Sequence, residues 1–263
     1  MKKYNIASWY YSMDDEEIKA AITESWDSTS GMYDSCPGHQ IGTKVEEEAW
    51  MNELRHGIPK PPLKILDVGC GTGAMGLLYA KMGYDVSGVD LSEAMMNHAR
   101  MKAVRGKLAI DLKKGDAENL PYPDESFDLI VNRHLLWTLP HPEVALHEWN
   151  RVLKKGGTLL IIDGVWNDKR FSTQCKRYLS EYLTSIFEKT NSHRRGYDKN
   201  LRKALPHDGG VSQDAMIRYL EKTGFSDVTI RDLMYIRDIQ REQMPWYRKI
   251  TTGKSYYILQ TKK

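Results

Sequence analysis

Residues 67–76, DVGCGTGAMG, place the Asp67 carboxylate two positions ahead of a glycine run. Glycines permit a tight turn and let backbone approach a ligand closely, a need shared by several cofactors. Counted from Gly71, the glycines at 71, 73 and 76 have the G-x-G-x-x-G spacing of dinucleotide sites. Two features argue against hydride chemistry. That fingerprint follows an apolar strand, whereas here Asp67 interrupts the run. Its ribose carboxylate comes about 20 residues into the unit, and Asp90, the next acid ending an apolar run, follows Gly76 too soon. Gly76 reads instead as a helix residue that packs close on a sheet, and the register that fits is 67–73.

Other side chains with chemical potential are scattered. Trp26, Tyr33, His39 and Gln40 fall in WDSTSGMYDSCPGHQIG, a Ser-, Gly- and Pro-rich stretch read as a loop bearing site residues. His134 follows the apolar run 127–133, where an imidazole can serve as a base, as can His39. Tyr33, Trp137 and Trp166 offer aromatic faces suited to a cation. Arg194, Arg195, Arg202 and Lys203 make a basic cluster able to meet an anion. Cys36, Cys70 and Cys175 are too dispersed for a zinc site and too few for a disulfide framework, so reduced thiols and no metal are expected.

These residues need elements to hold them. LKILDVGC reads as a buried parallel strand, followed by the glycine turn and a helix, AMGLLYAKMG. The alternation continues through DVSGVD, SEAMMNHARMKA, KLAIDLKKGDA, FDLIVNR, PEVALHEWNRVLKKGG and TLLIIDG. A helix SQDAMIRYLEKTGF and strands DVTIRDL and SYYILQTK close the chain. Such alternation predicts right-handed crossovers and a mostly parallel, doubly wound α/β sheet of seven strands. Ahead of it lie two helices, MDDEEIKAAITESW and TKVEEEAWMNEL, the second opening on a Thr43 to Glu46 capping box. Residues 1–60 are expected to form a helical lid and 61–263 the core. Within the core, 166–211 is an insertion leaving the sheet edge where ligands bind, placed to cover a substrate. The helix FSTQCKRYLSEYLTSIFEK in it carries Phe171, Cys175, Tyr178, Leu179, Tyr182, Leu183 and Ile186 on one stripe, expected to pack against the body.

In its 67–73 register the sequence resembles the class I S-adenosylmethionine-dependent methyltransferases, and four further stretches match in order. They are VSGVDLSEAM, GDAENLPYPDESFDLIV, NRHLLWTLPHP and EWNRVLKKGGTLLIID, together spanning about residues 64–165. NRHLLWTLP and the ending YYILQTK are similar to a prokaryotic small-molecule subgroup. The resemblance implies a Rossmann-like fold and S-adenosylmethionine as cofactor, with S-adenosylhomocysteine as product. It implies that Asp67, Gly69, Cys70, Gly71, Gly73 and Asn132 surround the methionine part, and that Asp90 takes the ribose hydroxyls. It further implies that Leu91 and Met95 flank the adenine while Asp116 and the Ala117 N–H read its edge. His134, Tyr33 and His39 are the catalytic candidates, and Trp137, Trp166 and Arg194 the candidates for binding a small-molecule acceptor through N, O or S.

At 263 residues, 41% hydrophobic and 28% charged, the chain can bury a substantial core. No apolar run approaches the roughly 20 residues that span a bilayer, and MKKYNIASWYYSMDDEE turns acidic where a secretory signal would turn apolar. A cytoplasmic protein without membrane contact is expected, as monomer or homodimer. A formal charge of +3 gives little reason to expect nucleic acid. Asn132, Arg133, His134 and Leu135 stand where enzymes methylating nucleobase amines carry an Asp/Asn-Pro-Pro-aromatic motif, which argues against that chemistry. Two other readings stay open: an RNA methyltransferase using the basic insertion, and a non-catalytic regulator that binds the cofactor.

Overall fold

The computed structural model describes residues 13–36, 38–166, 170–188, 197–251 and 255–263. Seven strands form one sheet: β1 (Lys64–Val68), β2 (Asp85–Asp90), β3 (Asp111–Lys114), β4 (Phe127–Arg133), β5 (Leu153–Val165), β6 (Ser226–Asp232) and β7 (Ser255–Lys262), in the order β3-β2-β1-β4-β5-β7-β6. Strands β1 to β5 pair in parallel and β7 runs antiparallel to both β5 and β6. The chain steps outward from β1 to β3 and returns to the other side of β1 with β4. That reversal opens a crevice at the carboxyl ends of β1 and β4, the place where open α/β sheets bind ligands. Expected fold and strand count are both met.

Helices cover both faces. On one face α5 (Pro142–Val152) and α8 (Gln213–Lys222) bury Trp149, Leu146, Met216 and Leu220 against Leu66, Ile130, Leu159 and Leu259. On the other, α3 (Ala74–Lys81), α9 (Met234–Glu242) and α2 (Lys44–Arg55) contribute Met75, Tyr79, Ile236, Trp50 and Leu54 to a cluster with Ile65, Leu129, Leu160 and Tyr256. Trp50 and Leu54 are both 0% exposed, so α2 packs tightly into this cluster. The capping box at Thr43 is only half formed. Thr43 accepts from Glu46 N–H at 3.2 Å, whereas the Glu46 carboxylate is drawn to Gly42 N–H and to Gln240 of α9.

Helix α1 (Asp15–Tyr33) runs seven residues past Trp26, where the helix read from the sequence ends, and carries Tyr33, a residue of the stretch read as a loop. The Ser- and Thr-rich sequence is tolerated because Ser28, Thr29 and Ser30 return their hydroxyls to carbonyls one turn back. A complete capping box between Asp14 and Glu17 starts it. Its Ile18 and Ile22 form a third cluster with Tyr197, Leu201 and Leu205 around α7 (Lys199–Ala204), so the N-terminal helix docks on the inserted segment.

The first inserted helix departs from expectation. On α6 (Phe171–Glu188) only Ser180 is buried, and Phe171, Tyr178, Leu179, Tyr182 and Ile186 of the predicted packing stripe are exposed. Phe187 stacks on Tyr247 at 5.1 Å and, at mid-helix, Ser180 donates to the Tyr247 carbonyl at 2.8 Å.

Candidate functional site

Strand β1 ends in a turn whose geometry only glycine accommodates without strain. Gly69 has φ +66°, and a Cβ there would stand 2.6 Å from Leu135 Cδ1. The N–H groups of Gly69 and Cys70 both donate to the Val89 carbonyl, at 2.8 and 3.1 Å, which fastens the turn to the end of β2. Met95, on α4 (Glu93–Gly106), lies across the turn, with its Cε 3.3 Å from where a Gly71 Cβ would sit.

Two strand-end carboxylates face this turn. Asp90 accepts from Gly71 N–H through Oδ2 and from Ser92 N–H through Oδ1, each at 2.8 Å. Each oxygen keeps a further lone pair, so the fixed carboxylate can still accept two hydroxyls side by side. Asp67 is 2% exposed, and its Oδ2 accepts from Gly76 N–H at 2.8 Å. Gly76 thus serves α3 as expected, and its missing side chain leaves room for the carboxylate. Burial pushes Asp67 up to about 7, against the pull of the Gly76 bond and of Arg133.

Tyr33, Asp67, Gly69, Cys70, Gly71, Thr72 and Arg133 line a cavity of about 30 Å³. A water needs roughly 10–15 Å³ of such space, so this holds a water or two and no cofactor. What closes it is α1. Lys19 reaches both Asp116 and Glu118 at 2.7 Å; Asp27 accepts from Ser92 Oγ at 2.5 Å; Asp34, just past the helix, accepts from Thr72 Oγ1 and pairs with Lys102, both at 2.7 Å. A larger open groove of about 760 Å³ lies between α1 and the ends of β2 and β3, with Leu91 and Lys114 opposite Lys19, Thr23 and Asp27. The glycine turn and Asp67 line the smaller cavity and not the groove.

The other expected residues sort as follows. Asp116 accepts from Glu118 N–H at 2.9 Å besides pairing with Lys19, and the Ala117 carbonyl accepts from Trp149 Nε1 at 3.0 Å. Asn132 is 0% exposed, with Nδ2 3.5 Å from the Leu160 carbonyl and Oδ1 unpartnered, and it does not line the cavity. Arg194 lies outside the described residues.

A chain of ring contacts runs from α1 past the end of β4. His39 lies 4.2 Å from Tyr33, and Trp26 is 5.8 Å from Tyr33 and 6.3 Å from Trp137. Trp137 is 5.4 Å from Tyr197 and 5.6 Å from Trp166, which is 5.4 Å from His134. Tyr33 and His39 thus meet at one end of this chain of contacts and Trp137, Trp166 and His134 at the other, with Trp26 and Tyr33 carried there on a helix.

His134 is not built as a base. Its backbone has φ +59°, in the left-handed region, and its Nε2 sits 3.4 Å from Arg237 Nη2. A guanidinium can only donate, so Nε2 accepts and the proton is on Nδ1. Burial, together with Arg133 and Arg237, holds this imidazole well below its usual range. Tyr33 is likewise pushed up by burial. Arg133, Tyr197 and Arg237 join the site without having been singled out. Nothing local in their sequence marks them, since each depends on a neighbour far away along the chain.

Comparison with known proteins agrees with this geometry. Residues 66–161 match the family model described as "Methyltransferase domain". The chain is 28% identical to the demethylmenaquinone methyltransferase of Renibacterium salmoninarum over 82% of itself and 91% of that protein. It is 33% identical to the enzyme of the same name from Paenarthrobacter aurescens, over 69% of itself and 70% of the relative. In fold it superposes with a TM-score of 0.64 and 18% identity on Haemonchus contortus phosphoethanolamine N-methyltransferase 2, solved with phosphomonomethylethanolamine and S-adenosylhomocysteine. That match covers 94% of this chain and 60% of the larger enzyme. Among the described residues no helix is long and apolar enough to cross a membrane, and no group of three or more His, Cys, Asp or Glu could hold a metal.

Proposed function

This chain belongs to the class I S-adenosylmethionine-dependent methyltransferases, and from that premise we propose that it methylates a small molecule held in the ring-lined space over β4. One observation carries the reading: Asp90, Asp67 and the Gly69–Gly73 turn share the carboxyl edge at the switch point, with both Asp90 oxygens able to accept more. When bound, S-adenosylmethionine supplies the methyl group on a positively charged sulfur. Asp90 holds the ribose hydroxyls, and Asp67, poised to ionise near pH 7, accepts from the amino acid's ammonium. Leu91 and Met95 flank the adenine.

The chain's own contribution is alignment and exclusion of water. Placing a nucleophile in line with the breaking bond, in a dry site, supplies several kcal/mol by proximity alone. Trp26, Trp137, Trp166 and Tyr197 wall the acceptor off, and their faces suit a cationic centre. His134 orients and does not abstract a proton, because Arg237 occupies its free nitrogen. Tyr33 and His39 serve as wall and hydrogen-bonding groups of the lid. That lid is α1 with residues 34–42, since admitting the cofactor requires α1 to release Asp116, Ser92 and Thr72.

Methyl-labelled S-adenosylmethionine, incubated with the protein and a fractionated small-metabolite extract, tests the reading. It expects label in a compound of low mass. Label appearing only in added RNA would replace it with the RNA reading; cofactor binding without any transfer would favour a regulator.

A further inference from the structure

Beside His134, side chains from β4, β7, α2 and α9 gather hydrogen-bond donors with too few acceptors. Arg133 Nη2 donates to the carbonyls of Gly38 and His39 at 3.3 and 2.6 Å, while its Nη1 is buried without a partner. The Arg237 guanidinium lies 3.9 Å over the ring of Tyr256, with Nη1 3.1 Å from Gln240 Oε1 and Nη2 on His134. Tyr256, 1% exposed, has a buried hydroxyl without a partner. Trp50, 0% exposed, has an unpartnered Nε1, and Arg133 lies 5.5 Å from its ring.

The nearby acids are already engaged. Glu46 accepts from Gln240 Nε2 at 2.7 Å and from Gly42 N–H at 3.0 Å, and Asp67 accepts from Gly76. Neither guanidinium is within 4.0 Å of a carboxylate among the described residues. Enclosing two such cations side by side is costly unless an anion compensates them. Arg133 borders the glycine-turn cavity, while Arg237, which does not line it, contacts His134 and, through that ring, Trp166.

The geometry points to an oxyanion subsite in which Arg133 and Arg237, flanked by the Tyr256 hydroxyl, receive a carboxylate or phosphate group of the methyl acceptor. The acceptor is thus an anionic small molecule, and this conclusion rests on the methyltransferase reading above. Guanidinium forks match both groups in shape and charge. The left-handed turn at His134 serves the same end by aiming its ring at Arg237. A second source of the same chemistry is the cofactor's own α-carboxylate, reachable from Arg133; the position of Arg237 beside the ring-lined space favours the acceptor.

Calorimetric titrations of the full chain separate these. Inorganic phosphate, titrated into protein saturated with S-adenosylhomocysteine, binds the wild type. R237M weakens it by about 30-fold or more, R237K restores only part of it because an ammonium lacks the planar fork, and both keep their affinity for S-adenosylhomocysteine and a cooperative melting transition. If phosphate instead competes with S-adenosylhomocysteine, and R133M abolishes the preference for that ligand over its decarboxylated form, the assignment to the acceptor is overturned. Absence of phosphate binding to the wild-type complex, with S-adenosylhomocysteine bound normally, overturns the subsite itself. Failure of S-adenosylhomocysteine to bind the wild type overturns the methyltransferase reading instead.

Discussion

Burial holds two carboxylates, Asp67 and Asp163, up to about 7. Asp163 lies on β5 at 0% exposure, with Oδ1 accepting from Gly164 N–H at 2.7 Å and Oδ2 unpartnered. Its folded pKa exceeds the unfolded 3.8, so its contribution to stability is full below about pH 4 and is lost as pH rises through about 7. His134 works in the opposite sense, because the unfolded imidazole gains a proton below its ordinary 6.5 while the folded one resists. Comparing variants isolates the acid. The melting temperature of Asp163→Asn, relative to wild type, should rise between pH 5 and 8, by the equivalent of at most about 3 kcal/mol at 1.36 kcal/mol per pKa unit. Parallel melting profiles would contradict it. Asp67 makes a different prediction, since an ionised Asp67 attracts the ligand's ammonium. S-adenosylhomocysteine affinity measured by calorimetry should increase from pH 5 to 8, with proton release near pH 7, and Asp67→Asn should flatten that dependence. A spacing of two residues before the glycines made Asp67 readable in the sequence. Arg133 and Arg237 were not readable, because their meeting depends on β4, α9 and the turn at Gly38 closing together.

Helices α1 and α2 adjoin in sequence but differ physically. Trp50 and Leu54 fix α2 into the core, so Trp50→Ala should destabilise the protein by about 3–5 kcal/mol through the cavity it leaves, read as a lower denaturant midpoint. The ties of α1 near the cofactor crevice are polar and partly exposed. Asp34→Ala removes a pair with Lys102 and a bond from Thr72, costing about 1 kcal/mol or less for the ion pair. It should nevertheless speed S-adenosylhomocysteine release several-fold in stopped-flow measurements, since lid opening gates exchange. An unchanged release rate with a large loss of stability would make α1 a packing element only. Deleting residues 1–42 should leave a folded core, because α2 begins after that point. The sequence suggested a loop at 26–42 from its Ser, Gly and Pro content. Tertiary contacts to Ser92 and Thr72, with hydroxyls bonding back along the helix, overrode that local preference as far as Tyr33.

Across the whole molecule, the strand order brings together acids that are widely separated in sequence. Asp67 ends β1 and Asp90 ends its parallel neighbour β2, while β4 delivers Arg133 and His134 on the other side of β1. The alternation of apolar runs and amphipathic helices made this sheet readable, because parallel strands with crossover helices allow few alternatives. The exposed face of α6 was not readable, since an apolar stripe announces burial without saying against what. The central claim is that this edge holds S-adenosylmethionine through Asp90. Titration calorimetry of S-adenosylhomocysteine against wild type and Asp90→Ala tests it most directly. The account predicts one site in the wild type, stabilising the fold by about 2.7 kcal/mol at 100-fold excess over the dissociation constant, no binding of NADH, and an affinity loss of about 1.5–3 kcal/mol per lost charged hydrogen bond in Asp90→Ala. Equal affinity in a variant that melts like wild type, or binding of NADH in place of S-adenosylhomocysteine, would contradict it.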